Sequence, residues 1–228
     1  MKNENLEKIA AYLKVKGNLK QEVYQRTFSV FENLKQVLEN YANQLKSSCK
    51  EDLFEVDFKE NGKFEAEIKF AGDILIFNMH TNIFSFSEEY FINNTAYVKE
   101  DESRKYCGMI EVYNFLADSF KYQRYGDAGY LVSRIFINKE GHFFVEGEEQ
   151  LGFLYKDFDN LVINEDFLAL IVEQAMLFSI NFDLWVPSYH EVRELTVGEK
   201  IQQTGTLTHK TSKRLGFAFS SQKDEFKG

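Results

Sequence analysis

The stretch CGMIEVYNFLADSFKYQRYGDAGYLVSRIFINKEGHFFVEG, residues Cys107–Gly147, decides the fold. Two long runs of apolar, aromatic and β-branched residues flank a break near Tyr125-Gly126-Asp127, and the second run closes into a hairpin. Asn138-Lys139-Glu140-Gly141 suits a type I turn with Gly in the left-handed position. That three-residue loop pairs Asn138 with His142, and counting outward it sets Phe136 opposite Phe144 and Arg134 opposite Glu146. An aromatic pair and an opposite-charge pair on one face, each contributing roughly 0.2–1 kcal/mol, favour this register over its one-residue slips.

Upstream, the strand period continues. KFEAEIKF (63–70) alternates, with Phe64, Ala66, Ile68 and Phe70 toward a core and Lys63, Glu65, Glu67 and Lys69 toward water. Asn61-Gly62 is a favoured hairpin pair joining it to FEVDF (54–58). ILIFNM (74–79) is apolar on both faces, as a central strand is, and IFSF (83–86) reads as a short strand after Thr81-Asn82. From Ser87 to Tyr106 no period holds, and KEDESRK (99–105) reads as an exposed connection.

Helical periodicity flanks these strands. Leu6, Ile9, Ala10 and Leu13 share one helical face, which Gly17 is expected to end. Asn18 with Gln21 predicts a capping box opening a second helix to about Lys46, with Val23, Val30, Phe31, Leu34, Val37, Leu38, Tyr41 and Leu45 along its seam. Thr27 breaks the heptad, so packing across the chain's own sheet is favoured over a two-stranded coiled coil. After Gly147 a turn and an aromatic piece, GFLYKDF (152–158), lead to Asn164, which caps a helix over 165–180 that is apolar nearly all round and therefore buried. Pro187 marks its exit.

The expected architecture is one α+β domain over residues 1–198. An N-terminal helix pair (6–46) and a C-terminal helix (165–180) pack on one face of an antiparallel sheet of about six or seven strands (53–155). Residues 199–228 form a basic polar tail in which Leu215–Phe219 could dock as an edge strand.

Composition bounds the function. With 44% hydrophobic and 16% aromatic residues among 228, the chain is no disordered segment, and no Pro/Gly/Ser-rich linker divides it. Two cysteines, Cys49 and Cys107, are too few for a disulfide framework or a zinc site and read as free thiols. No window approaches the roughly 18 apolar residues of a bilayer span, and the N-terminus has no uninterrupted apolar stretch, so a cytoplasmic protein without membrane contact is expected. Of the net charge of -9, residues 1–50 carry +4 and residues 190–228 carry +2, leaving about -15 on residues 51–189. An acidic body disfavours non-specific nucleic-acid binding except through the tail, where Lys210, Lys213 and Arg214 lie beside Leu215, Phe217 and Phe219.

Few residues point to chemistry. Phosphate-binding glycine loops, a GxSxG nucleophile and closely spaced His/Cys ligands are absent, so no cofactor and no metal is expected. Asp57 with Glu67-Ile68-Lys69 is similar to the acidic-x-Lys arrangement of metal-dependent nucleases, in which two carboxylates hold a magnesium ion and a lysine steadies the attacking water. A wet strand face explains the same residues, so a hydrolase or nuclease is the second expectation. The first is a non-enzymatic binding or protein-interaction module using an open sheet face or the tail. Its candidate contacts are Glu111, Asn114, Asp118, Arg134 and Glu146 within the apolar strands, because charge there must be paired, exposed or lining a cavity. Arg134 would anchor an anionic group, Tyr113, Phe115 and Tyr130 would wall the site, and Tyr122, Arg124 and Tyr125 would form its rim. The partner would be a protein or a small anionic ligand, and the chain a monomer or homodimer.

Overall fold

The computed structural model describes residues 2–50, 53–183, 186 and 188–198. Pro187 and the tail, residues 199–228, lie outside them. Six antiparallel strands follow one another in spatial order: β1 (Val56–Glu60), β2 (Glu65–Phe70), β3 (Asp73–Phe84), β4 (Cys107–Leu116), β5 (Tyr130–Asn138) and β6 (Phe143–Gly147). The β5–β6 hairpin has Arg134 opposite Glu146 and Phe136 opposite Phe144. Gly141, at φ 87°, holds the left-handed turn position, and the Asn138 N–H donates to the His142 carbonyl at 2.9 Å. Asn138 suits this place for a second reason: its side-chain oxygen accepts from the Glu140 and His142 N–H groups, each at 3.0 Å.

Helices cover one face of the sheet. α2 (Asn18–Ser48) contributes Val30, Phe31, Leu34, Val37 and Leu38, and α6 (Glu165–Ile180) contributes Leu168, Ile171, Val172 and Ala175, to one buried cluster with Ile68, Leu75, Phe77, Ile110, Val112 and Ile135. Asn164 caps α6 by accepting from the Phe167 N–H at 2.9 Å, and the Tyr41 hydroxyl of α2 donates to Glu173 of α6. Thr27, the residue that breaks the apolar seam, marks where α2 crosses β4. Gly108 lies against it so closely that a Cβ there would sit 2.1 Å from Thr27 Oγ1. A larger side chain at either position would lift the helix off the strand.

Four sequence expectations need correction. Gly17 does not end a helix, because its φ of -66° and ψ of -47° are helical; α1 (Lys2–Tyr12) runs through a π turn (Leu13–Gly17) directly into α2, and no side-chain cap forms at that junction. Leu6, Ile9 and Leu13 are exposed rather than packed on the sheet, like every residue from 5 to 16. IFSF is no separate strand: its first two residues end β3, which leaves the ladder with β4 after His80 and returns at Phe84 opposite Cys107. GFLYKDF contains the end of a short helix, α5 (Glu149–Leu154), and the chain beyond it guards the edge of β6, where the Val145 N–H donates to the Tyr155 carbonyl at 3.0 Å.

The fourth correction matters most for function. Residues 87–106 are not a loose connection, since they cover part of the second sheet face. Ile92 in a 3-10 turn (Phe91–Asn94) and Val98 in α3 (Ala96–Glu100) are buried with Cys107, Met109, Phe136, Phe144 and Phe158. The polar run is tied to the β5–β6 turn, where Lys139 donates to Asp101 at 2.8 Å and to Ser103 at 2.6 Å.

Candidate functional site

Strand alternation sends every second residue to the face away from α2 and α6, and the register arranges these residues in rows across the sheet. One row runs Lys69, Ile74, Phe115; the next runs Glu67, Ile76, Tyr113, Leu131. A third is polar: Glu65, Asn78, Glu111, Arg134, Glu146. The fourth, His80, Met109, Phe136, Phe144, lies largely beneath residues 86–106. The second face is therefore a buried aromatic half and a more open half, with the polar row at their boundary. In the open half Leu131 is exposed and Ile76, Tyr113 and Phe115 are half-buried.

Arg134 and Glu146 lie at that boundary. The guanidinium donates to one carboxylate oxygen of Glu146 and sits 5.5 Å from the centre of the Phe136 ring. From the covering segment, the Tyr90 hydroxyl donates to the other Glu146 oxygen. Burial first, and then the carboxylate of Glu146, hold the Tyr90 phenol well above its ordinary range. Arg134 nevertheless remains 40% exposed against 25% for Glu146. On its other side Arg134 faces Glu111 across the β4–β5 ladder. Burial, and after it the Glu111 charge, raise the Tyr113 phenol as well. Glu146 already pairs with the guanidinium, so an incoming anion would have to compete with it.

No known protein family, characterised protein or solved structure matches this chain.

Of the residues singled out by sequence, Glu111, Tyr113, Phe115, Arg134 and Glu146 come together. Asn114 and Tyr130 pair with each other on the opposite, helix-covered face, where the Tyr130 ring lies 5.1 Å from Phe182. Asp118 belongs to α4 (Ala117–Lys121), not to a strand. Beyond it, Arg124 pairs with Asp127 at 3.0 Å while the Ser119 hydroxyl donates to Asp127 at 2.6 Å, closing the loop that exposes Tyr122 and Tyr125. Lys210, Lys213 and Arg214 lie outside the described residues.

Of the nuclease-like trio, Asp57 stands directly opposite Lys69 in the β1–β2 ladder and Glu67 follows on the same face, each with a further partner. Asp57 pairs with Lys46 at 2.8 Å, Glu67 accepts from Asn61 at 2.6 Å and lies 3.9 Å from Lys59, and Lys69 pairs with Glu55 at 3.4 Å. Among the described residues no group of three His, Cys, Asp or Glu side chains is placed to hold a metal ion.

Sequence reasoning missed Tyr90 and Leu131. Tyr90 stands in an aperiodic segment with no signal beyond its neighbours Phe86, Phe91 and Ile92. Leu131 reaches the face of Tyr113 because β5 is irregular opposite Val112/Tyr113, so a strict count of two along β5 from Arg134 puts it on the wrong side.

Proposed function

We propose that the chain is a non-enzymatic binding protein that accepts a segment of a protein partner on the open half of its second sheet face. The observation that carries this reading is the row Ile76, Tyr113, Leu131, a partly open apolar strip in mid-sheet with Glu67 at its end and the polar row along one side. Apolar surface rimmed by polar groups is the anatomy of an interaction site. Aromatic and aliphatic side chains of the partner would cover the strip, and Glu111, Arg134 and Glu146 would fix its direction through charge-assisted hydrogen bonds. A partner carrying basic or neutral polar groups beside its apolar residues suits this rim better than an anion. The basic tail, with Lys210, Lys213 and Arg214, would supply a second contact to an acidic segment elsewhere on the same partner. The reading is of a cytoplasmic protein whose two cysteines remain thiols.

The test is to isolate the tagged full chain from its native cells, with cross-linking and mass spectrometry, beside the double variant Tyr113→Glu/Leu131→Glu. A partner recovered with the natural chain and lost from a variant of unchanged melting temperature supports the proposal. Recovery of the same proteins by both, or of none by either, overturns it.

A further inference from the structure

Leu6, Ile9 and Leu13 are 63, 54 and 66% exposed, although their spacings of three and four are those of a buried helix face. Every residue from 5 to 16 is exposed, so no face of this part of the helix packs on the rest of the chain. The stripe is therefore uncovered, on a helix that is already formed.

We propose that this stripe is covered by the same stripe of a second copy, in an antiparallel helix pair about a twofold axis. A twofold contact must be self-complementary, each surface meeting its own duplicate. Ala10 lies among the three large side chains and lets two helix axes approach closely. Glu7 and Lys14, both exposed, stand seven residues apart and so occupy the same flank of the stripe one heptad from each other. Antiparallel pairing sets Glu7 of each copy against Lys14 of the partner subunit, giving two ion pairs from one contact. Because α1 continues into α2 without a break, association orders no new backbone, which removes much of the usual cost. The contact lies on α1 and the start of the π turn, apart from the four rows of the sheet, and does not rest on their proposed role.

Sedimentation equilibrium of the full chain up to about 0.5 mM, the range suited to a small interface, tests this. The mass is expected to rise from 26.7 kDa toward twice that value. Leu6→Glu/Leu13→Glu is expected to stay at the single-chain mass with an unchanged melting temperature, since exposed positions are being altered. Glu7→Lys weakens the dimer on the order of tenfold by turning two attractions into repulsions, and Glu7→Lys/Lys14→Glu restores it. A single-chain mass for the natural chain at every concentration overturns the proposal. So does a dimer that survives the leucine substitutions, or a charge exchange that restores nothing.

Discussion

Replacing Gly108 with alanine tests the placement of α2 on the sheet at one point. The new Cβ would lie 2.1 Å from Thr27 Oγ1 and 2.8 Å from Thr27 Cβ and Cγ2, far inside van der Waals contact. Thr27 cannot easily turn aside, because a β-branched side chain is stiff in a helix and its hydroxyl donates to the Val23 carbonyl at 2.8 Å. Nor can α2 retreat without loosening Val30, Phe31 and Leu34, all buried in the same cluster. Overpacking of this kind costs about 1–3 kcal/mol, and we place Gly108→Ala near the upper end. Thr27→Gly alone costs about 2 kcal/mol, roughly half from helix propensity and half from lost packing. Together the two should cost about 2 kcal/mol less than their sum, since the alanine methyl then occupies the space the threonine vacated. Urea unfolding followed by circular dichroism, with the slope m held constant across the four proteins, measures the coupling. Additivity within about 0.5 kcal/mol, or a neutral Gly108→Ala, would refute the close approach of α2 to β4.

Three further outcomes follow from the covered half of the second face. Burial pushes the Cys107 thiol far above its ordinary range while Cys49 is only half-buried, so a thiol reagent should modify one cysteine quickly and Cys107 only as the chain unfolds; two fast thiols would contradict the covering by residues 87–106. Tyr90→Phe removes one of the two hydrogen bonds to Glu146 and should cost about 1 kcal/mol, with faster hydrogen exchange in residues 87–106 and none of that acceleration in β1–β3. Bonds from Lys139 and Ser103 hold the Asp101 carboxyl below its usual 3.8, so its stabilisation is present above that pH and fades as the pH falls through the folded-state value. Asp101→Asn should accordingly destabilise modestly near neutrality, screened because the side chain is 40% exposed, and the difference should vanish in strong acid; a pH-independent difference would show that the ion pair contributes nothing.

What could be read from the sequence was local. The β5–β6 register follows from Asn138, Gly141 and the two cross-strand pairs, all within thirteen residues, and the structure has that register. The α6 cap at Asn164 is legible for the same reason. What could not be read depended on partners distant in sequence. Thr27 interrupts a seam until Gly108, on β4, shows that α2 needs a small residue there. Gly17 has the composition of a helix stop, yet glycine also accepts helical angles, and the helical runs on both sides continue through it. Residues 87–106 cover a sheet with short 3-10 turns and one turn of helix, a geometry that shows neither the period of 2 nor that of 3.6 on which sequence reading depends.

The candidate site shows the same division, with a consequence for testing it. Alternation puts Glu111 and Tyr113 on one face and Asn114 on the other, but the irregularity of β5 beside them decides that Leu131 completes their surface. Arg134 and Glu146 are neither an enclosed structural bridge nor a free anchor. Glu146 is held from above by Tyr90, and Arg134 packs on Phe136, so both belong in part to the aromatic core. Removing either would disturb the covering segment together with any ligand contact, leaving an uncompensated charge at the core's edge. Loss of binding in such a variant would be ambiguous. Tyr113 and Leu131 lie on the open side of that boundary, where side-chain replacement costs the core little. Their substitution therefore separates recognition from folding, which substitution of the more conspicuous ion pair cannot do.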